Sequence, residues 1–421
     1  MIRTFQIVAW CFFLLPGILR AQVQDTLRVS IRQADSLLLA RNLSLVVSRY
    51  EIDKAEARKI QEKLFLNPEL STEWSAHNPN TGKSPDIGSN GQKIIQLQKV
   101  FRIAGQRKTS ILLAEEEKRM TEIQYYELAR SLKYQLHVSF YRYHFLNTAI
   151  ISIHSRLVLL KNLINIYEQQ YAKGNISLQE LARLKSTYFE INNQVNDTQA
   201  DMVRLQQDLQ LMLADERIIQ PVVSGNEGID FQAPAQTLPE LIDRSLENRP
   251  ELKEAKSYRA QSQLRYSLER KEAIPSIVAG GVYDQAGSYI NNYTGIQIGL
   301  QIPIFNRNQG KIQEARIGMV QADALMQTKQ QQVTREVVAA WRIFQLLREQ
   351  YKASGTDFEA QLDQLSKGLV SNYSKNNISL LEFTDMFEAY NASIIQLNQL
   401  KADLNKSYEE LDYVVGEELS R

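Results

Sequence analysis

The 421 residues carry 49 basic and 48 acidic side chains, a formal net charge of +1, and 43% of them are hydrophobic. That balance lacks the basic excess of a nucleic-acid partner. The single cysteine is Cys11, so a mature chain shorn of its first residues has no disulfide, no thiolate metal site and no cysteine nucleophile.

Residues 1–21 read as a secretory signal. Arg3 supplies the positive start, Ile7 to Leu15 an apolar run, Pro16-Gly17 the break, and Leu19-Arg20-Ala21 a small residue before Gln22. Its removal takes two arginines and no acid, moving the formal charge from +1 to −1. Cys11 follows Trp10 rather than a small residue, so a lipid-anchored N-terminus is not expected. No later run of 18 or more apolar residues occurs, so no transmembrane helix is expected.

Residues 31–66 have helical composition without internal Pro or Gly, and Pro68 ends that helix. A strand is expected over 68–77, where Leu70, Thr72, Trp74 and Ala76 alternate with Glu69, Ser71, Glu73 and Ser75. The loop His77–Gly91 is rich in Gly, Asn, Ser and Pro, and a second strand follows over 92–101. From Ile103 to Ala172 there is no proline, and Gly105 stands at the start. A helix of about 67 residues would span on the order of 100 Å, longer than one globular core requires. After a turn, Leu181, Leu184, Tyr188, Ile191, Val195, Thr198, Met202, Leu205, Leu209 and Met212 are spaced alternately three and four, an unbroken heptad seam.

The plan then repeats. Tyr171-Ala-Lys-Gly-Asn175-Ile-Ser-Leu178-Gln-Glu180 matches Tyr373-Ser-Lys-Asn-Asn377-Ile-Ser-Leu380-Leu-Glu382 at an offset of 202, Leu97-Gln98 and Gln106-x-Lys108 match Leu300-Gln301 and Gln309-x-Lys311 at 203, and Leu45 and Pro68 match Leu252 and Pro275 at 207. The repeats span 22–215 and 240–415. A linker over 216–239 carries Pro221, Gly225, Gly228, Pro234 and Pro239, and a tail covers 416–421. The second repeat is expected to hold strands over 275–284 and 293–304, joined by Asp284–Asn292. Its seam runs Phe383, Phe387, Tyr390, Ile394, Leu397, Leu404, Tyr408, Leu411 and Val415, with Lys401 at one seam position.

Ile296, Ile298, Leu300 and Ile302 alternate with Gly295, Gln297, Gly299 and Gln301, the period of a transmembrane β-barrel strand. Trp74, Phe101, Tyr283, Tyr293 and Phe305 are candidates for its aromatic girdles. Four strands cannot close, and open edges in hydrocarbon leave backbone groups unpaired. Two copies would give a barrel filled by side chains, so three copies are the smallest assembly expected to form a pore. The same alternation suits two soluble hairpins, as in a secreted coiled-coil scaffold, although paired strands at matching repeat positions fit that reading less well.

The chain resembles the TolC family of outer-membrane efflux proteins over essentially its mature length. The residues that carry this are Asn67-Pro68-Glu69-Leu70-Ser71, Gln98-Lys-Val-Phe101, Ala104-Gly105-Gln106-Arg107, the two Tyr-x-Lys-x-Asn-Ile-Ser-Leu turns and Gln301-x-Pro303-Ile304-Phe305. Among branches, Asn67–Ser71 and Ala104–Arg107 look most like the CzcC-type heavy-metal efflux channels. The resemblance implies a mainly α fold with a transmembrane β-barrel portion: a homotrimer whose long helical coiled-coil barrel crosses the periplasm and whose 12-stranded β-barrel lies in outer-membrane lipid. It also implies passive export, fed by a periplasmic adaptor (membrane fusion) protein and an inner-membrane resistance-nodulation-division pump. Drug-export and type I secretion channels share that shape.

By the same resemblance, the turns at Lys173, Gly174, Asn175 and Ser177 and at Lys375, Asn376, Asn377 and Ser379 form the periplasmic tip that docks the adaptor. Gly174 and Asn376 suit a left-handed turn. Glu382 and Asp385, i and i+3 on one helix face, match the acidic positions that ring the closed pore, where such a ring favours cations. Their counterparts at the 202 offset are Glu180 and Arg183, and Arg183 could pair with an acid across the tip. The histidines are His77, His137, His144 and His154. His137 and His144 lie about 10 Å apart along one helix, too far to share an ion. No Walker loop is present, so no catalytic residue, metal site or cofactor is expected. Glu69 and Glu73 are candidates for a cation-friendly lumen.

Overall fold

The computed structural model describes residues 25–223, 234–287, 289–355, 358–375 and 377–419. The expected signal segment, part of the linker and Asn376 lie outside these residues. In chain order the elements are β1 (Thr26–Val29), α1 (Ile31–Arg41), α2 (Leu43–Glu62), β2 (Glu69–Trp74), β3 (Lys93–Phe101), α3 (Gln106–Ala172) and α4 (Leu178–Leu213). After β4 (Ile218–Pro221), the second repeat follows with α5 (Leu238–Asn248), α6 (Pro250–Glu272), β5 (Ile277–Ala286), β6 (Asn291–Leu300), α7 (Gln309–Ser354), α8 (Phe358–Ser374) and α9 (Leu380–Val415).

The single helix expected over 31–66 is two helices, broken at Asn42, whose side-chain oxygen accepts from the amides of Ser44 and Leu45 and so caps α2. The second repeat breaks at Arg249, the position equivalent to Asn42 at an offset of 207, where Pro250 disfavours helical geometry in the residue before it. Both residues do the same work: Asn42 Nδ2 donates to the carbonyl of Met212 at 3.0 Å and Arg249 Nη1 to that of Val414 at 3.2 Å. Met212 and Val414 are themselves related by the 202 offset. Each break thus ties the first helices of a repeat to the last turn of its return helix.

The helix α3 runs unbroken for 67 residues from a left-handed Gly105 to the tip, about 100 Å at the α-helical rise. One stretch of it is apolar enough by composition to cross a membrane. A third of that stretch is buried in the stalk: Ala149, Ile153, Leu157, Leu160 and Ile164 pack with Leu181, Leu184, Ile191 and Val195 of α4 and with Phe383, Phe387, Tyr390, Ile394 and Leu397 of α9, while Ile151, Val158, Leu159 and Ile166 stay exposed. The heptad seam of α9 is buried at every named position, Lys401 included, whereas Tyr188, Thr198 and Leu205 of α4 are only partly buried. The helix α9 is therefore the trunk of the protomer. In the second repeat the outgoing helix is not continuous: α7 stops at Gly355, with φ 83°, and α8 resumes at Phe358.

Two further core clusters lie along the same long helices. One joins Val29, Ala34 and Leu38 to Leu136, Phe140, Leu209, Leu213 and Ile219. The other joins Leu241 to Val337, Phe344, Leu404, Tyr408 and Leu411. The linker is not without structure: β4 pairs in parallel with β1, burying Ile219 at the first of these clusters.

The remaining strands form one antiparallel sheet in the order β2-β3-β5-β6, so the hairpins of the two repeats are neighbours and β2 and β6 are open edges. All four lie within four residues of the expected bounds, β6 ending at Leu300 rather than at 304.

Candidate functional site: the pore sheet and the helical tip

Directly paired residues share a face of an antiparallel sheet. The register sets Leu70 beside Leu97, Gly281 and Ile296, then Thr72 beside Ile95, Tyr283 and Thr294. The same face continues through Lys99, Ala279 and Ile298 to Phe101, Ile277 and Leu300. It is apolar and open, with Leu70 66%, Ile296 90% and Ile298 76% exposed, as befits a surface meant for hydrocarbon. The opposite face carries Glu69, Gln98, Gly280 and Gln297, then Glu73, Ile94, Asp284 and Tyr293. Gln98 Nε2 donates to Glu69 at 3.0 Å, and Gln96 Nε2 to Gln98 at 3.2 Å and to Gln297 at 2.5 Å, an amide belt across the polar face. Glu69 and Glu73 stand on that face, as the sequence suggests. Tyr293 does too, over Gly295, and so is not part of a lipid-facing girdle. Gly280 is required by its neighbours: a Cβ there would lie 2.5 Å from the Leu97 carbonyl.

At the far end of the stalk the two turns share their closing hydrogen bonds. Gly174 adopts φ 76°, and the Asn175 amide donates to the Gln170 carbonyl at 3.0 Å. The Asn377 amide donates to the Asn372 carbonyl at 2.9 Å, and Asn175 and Asn377 both also bond the side chain five residues back. Ser177 and Ser379 then open α4 and α9 with capping boxes. Glu180 accepts from the backbone and hydroxyl of Ser177 at 2.9 Å each, and Glu382 from those of Ser379 at 2.8 and 2.9 Å. These hydrogen bonds hold both carboxyls below the usual range. Glu180 and Glu382 therefore have a local duty that their residue type and spacing disclose by themselves.

The residues one turn on differ between repeats. Arg183 Nη2 meets Asp385 Oδ1 at 2.5 Å, and its Nε donates to Thr384 Oγ1 at 2.7 Å. One step further, Thr187 donates to Glu388 at 2.6 Å. Tyr167 and Tyr373 meet hydroxyl to hydroxyl, and Tyr373 stacks on Phe383 at 4.6 Å. The structure thus brings Arg183 and Asp385 together within one protomer and leaves Lys173 and Lys375 exposed on the turns. The aromatic lock behind the ion pair lay partly in the Tyr171/Tyr373 repeat match, but Tyr167 carried no comparable signal.

Sequence reasoning also missed the role of His137. Its ring nitrogens lie 2.9 Å from Asp35 Oδ1 and 2.8 Å from Glu409 Oε2, joining α1, α3 and α9 beside a cavity of about 640 Å³. Burial opposes its charge, but the two carboxylates outweigh burial and raise the imidazole to about 9. Among the described residues, no group of three or more His, Cys, Asp or Glu side chains is arranged to hold a metal ion.

A sheet with one apolar and one polar face, two open edges and a long helical stalk is one segment of a channel wall set in a membrane. Comparison with known proteins gives the particular kind. Residues 241–417 match the family described as outer membrane efflux protein. The cobalt-zinc-cadmium resistance protein CzcC of Cupriavidus metallidurans is 20% identical over 294 residues, 68% of this chain and 66% of that protein, so the match spans just under two thirds of its length. The fold matches crystal structures of CusC with a TM-score of 0.74 at 18% identity, covering 92% of each chain. It also matches the Campylobacter jejuni CmeC outer membrane channel at 0.75 and 13% identity, covering 93% of this chain and 86% of that one. The second repeat thus carries an outer membrane efflux protein match, and the chain as a whole has the fold of the TolC-like outer-membrane channels.

Proposed function

We propose that three copies close the sheets into a 12-stranded barrel and the stalks into a continuous duct, which carries heavy-metal cations passively out of the cell. The observation that carries this reading is the pair of open strand edges on a two-faced sheet: in hydrocarbon they must be paired, and three copies are the fewest that leave a lumen. The lumen face supports the cargo. Glu69, Glu73 and Asp284 stand there among amides, and carboxylate rings favour cations. The likeness to a cobalt-zinc-cadmium resistance protein points the same way.

A duct with no energy source of its own needs an inner-membrane pump of the resistance-nodulation-division type and a periplasmic adaptor. The turns Lys173–Asn175, with Ser177, and Lys375–Asn377, with Ser379, are the proposed docking surface. Because Glu180 and Glu382 serve as helix caps, the constriction rests on Asp385 and its partner Arg183. The pair is one of the ties between α4 and α9, beside Thr187–Glu388, so its rupture loosens the contact between the two hairpins at the tip. The test is metal accumulation in cells of the native host. Deletion of this chain should raise retained zinc, cobalt or cadmium, and the wild-type chain should restore export. Unchanged metal retention with raised retention of an organic drug would assign the duct to drug export instead.

A further inference from the structure

We infer that the periplasmic rim of the barrel holds a binding site for the headgroup of an anionic phospholipid. It is built from Lys99, Arg102 and Arg107 around Phe65 and Phe101, and it rests on the outer-membrane placement given above. Three segments converge there: the residues after α2, the end of β3 and the first turn of α3. They line a cavity of about 440 Å³ together with Gln61, Glu62, Leu64 and Leu66.

The cations are brought together without an ion-pair partner for two of them. Lys99 Nζ lies 5.3 Å from the Phe65 ring centre and 5.8 Å from that of Phe101, and the Arg107 guanidinium stacks 4.0 Å over Phe65 from the other element. Arg107 directs its donors to the Lys63 carbonyl, and no carboxylate among the described residues forms an ion pair with Lys99 or Arg107. Arg102 has only a distant contact, 3.7 Å, with Glu272. Glu62 is the one carboxylate in the lining. Two cations on one ring repel each other, and an aromatic face offsets only part of that. An anion between them removes the conflict.

The surroundings say which anion. Lys99 belongs to the apolar face of the sheet, in register with Ala279 and Ile298, and Phe101 with Ile277 and Leu300. Leu64, Phe65, Leu66 and Ile103 are 57%, 69%, 46% and 56% exposed beside it. Below this point the chain is helix in the periplasm, and above it strand in hydrocarbon. The notch therefore sits at the inner-leaflet headgroup level, with charge for a phosphate and apolar side chains for its acyl chains. A free phosphate ion would have no use for the exposed Leu64, Phe65 and Ile103. Juxtamembrane cations of this kind attract anionic lipid.

The experiment is native mass spectrometry of the purified full chain in detergent, with phosphatidylglycerol or phosphatidylethanolamine added at equal concentration. Wild type should retain phosphatidylglycerol in preference. Lys99→Gln should lose about fivefold of that retention and Lys99→Gln/Arg102→Gln more, as expected for about one unit of charge attraction each, while Lys99→Arg and the remote Lys54→Gln keep it. Equal retention of the two lipids, or retention unchanged in the double variant, overturns the site. So does full displacement by inorganic phosphate, which would make it a general anion site. Efficient lipid-independent crosslinking of Phe65→Cys to Phe305→Cys of a second copy would show that a neighbouring protomer fills the notch, and would overturn it as well. None of these outcomes bears on conductance, so the channel reading stands or falls separately.

Discussion

The two repeats are one plan folded twice, and the places where they part are where each residue's job shows. Both break their first helical run at an offset of 207, both hang that break on the last turn of the return helix, and both cap that helix after the tip with a Ser–Glu box. These shared features are architecture. Where the repeats differ, one copy has taken on something the other lacks. Arg183 faces Asp385 at equivalent positions, His137 stands where the second repeat has buried Ala340, and Gly280 stands where the first has Glu73. The outgoing helix is continuous in the first repeat and interrupted at Gly355 in the second. An exact twofold duplication would give each protomer two identical hairpins with no complementary charge between them.

The sharpest way to break this comparison is at a position where the repeats share sequence place but not environment. Phe387 is buried at 2% on the α9 seam, while its counterpart Lys185 is exposed and paired with Glu168. Phe387→Ala should cost about 3–5 kcal/mol, and Lys185→Ala no more than about 0.5 kcal/mol, read by denaturant unfolding in detergent. Equal losses would mean that α4 and α9 share the load and that α9 is not the trunk.

His137 of the first repeat bridges Asp35 of its own repeat to Glu409 of the second and should make stability depend on pH. Its imidazole is raised above its unfolded value of about 6.5, to about 9 in the fold. The stability it contributes is therefore fully present below about pH 6.5 and is lost as pH rises through about 9, a loss on the order of 3 kcal/mol. Unfolding measured from pH 6 to 10 should show that decline in wild type and a flatter profile in His137→Gln.

Gly280→Ala sets a methyl against the Leu97 carbonyl and should cost about 1–3 kcal/mol as an overpacked contact. Glu73→Ala at the equivalent place in the first hairpin should leave the sheet intact, as judged by heat resistance of the oligomer on electrophoresis. The smallest effect tests sameness rather than difference. Ser177→Ala and Ser379→Ala should each cost about 1 kcal/mol, and by equal amounts. Unequal shifts in unfolding midpoint would mean that the two tips are not equivalent.

Much of this was legible in the sequence because it is periodic. The heptads, the alternating strands and the matched turns each repeat a physical rule several times over, so no single residue had to be read correctly. What escaped was carried by single residues. Asn42 breaks a helix through one side chain that caps forwards and bonds Met212 across the fold. Arg249 had a local signal in Pro250, and the repeat offset would have carried that signal back to Asn42. The short β1–β4 pairing joins segments nearly 200 residues apart, and nothing in either four-residue strand announces the other. At the tip, residue type and spacing marked Arg183 as a partner for an acid, and its contact is Asp385; the capping-box pattern of Glu180 and Glu382 with Ser177 and Ser379 was equally legible there. The bridge at His137 depends on Asp35 and Glu409, both far away in sequence.

The most direct measurement is single-channel conductance of the purified mature chain in planar bilayers, comparing wild type with Arg183→Asp and with the exchanged pair Arg183→Asp/Asp385→Arg. Wild type should show a small cation-preferring conductance. Arg183→Asp, which sets two acids face to face, should enlarge it, and the exchange should return it toward the wild-type value. A wild-type chain that never conducts would contradict the channel, and one that conducts equally in all three forms would contradict the tip as its constriction.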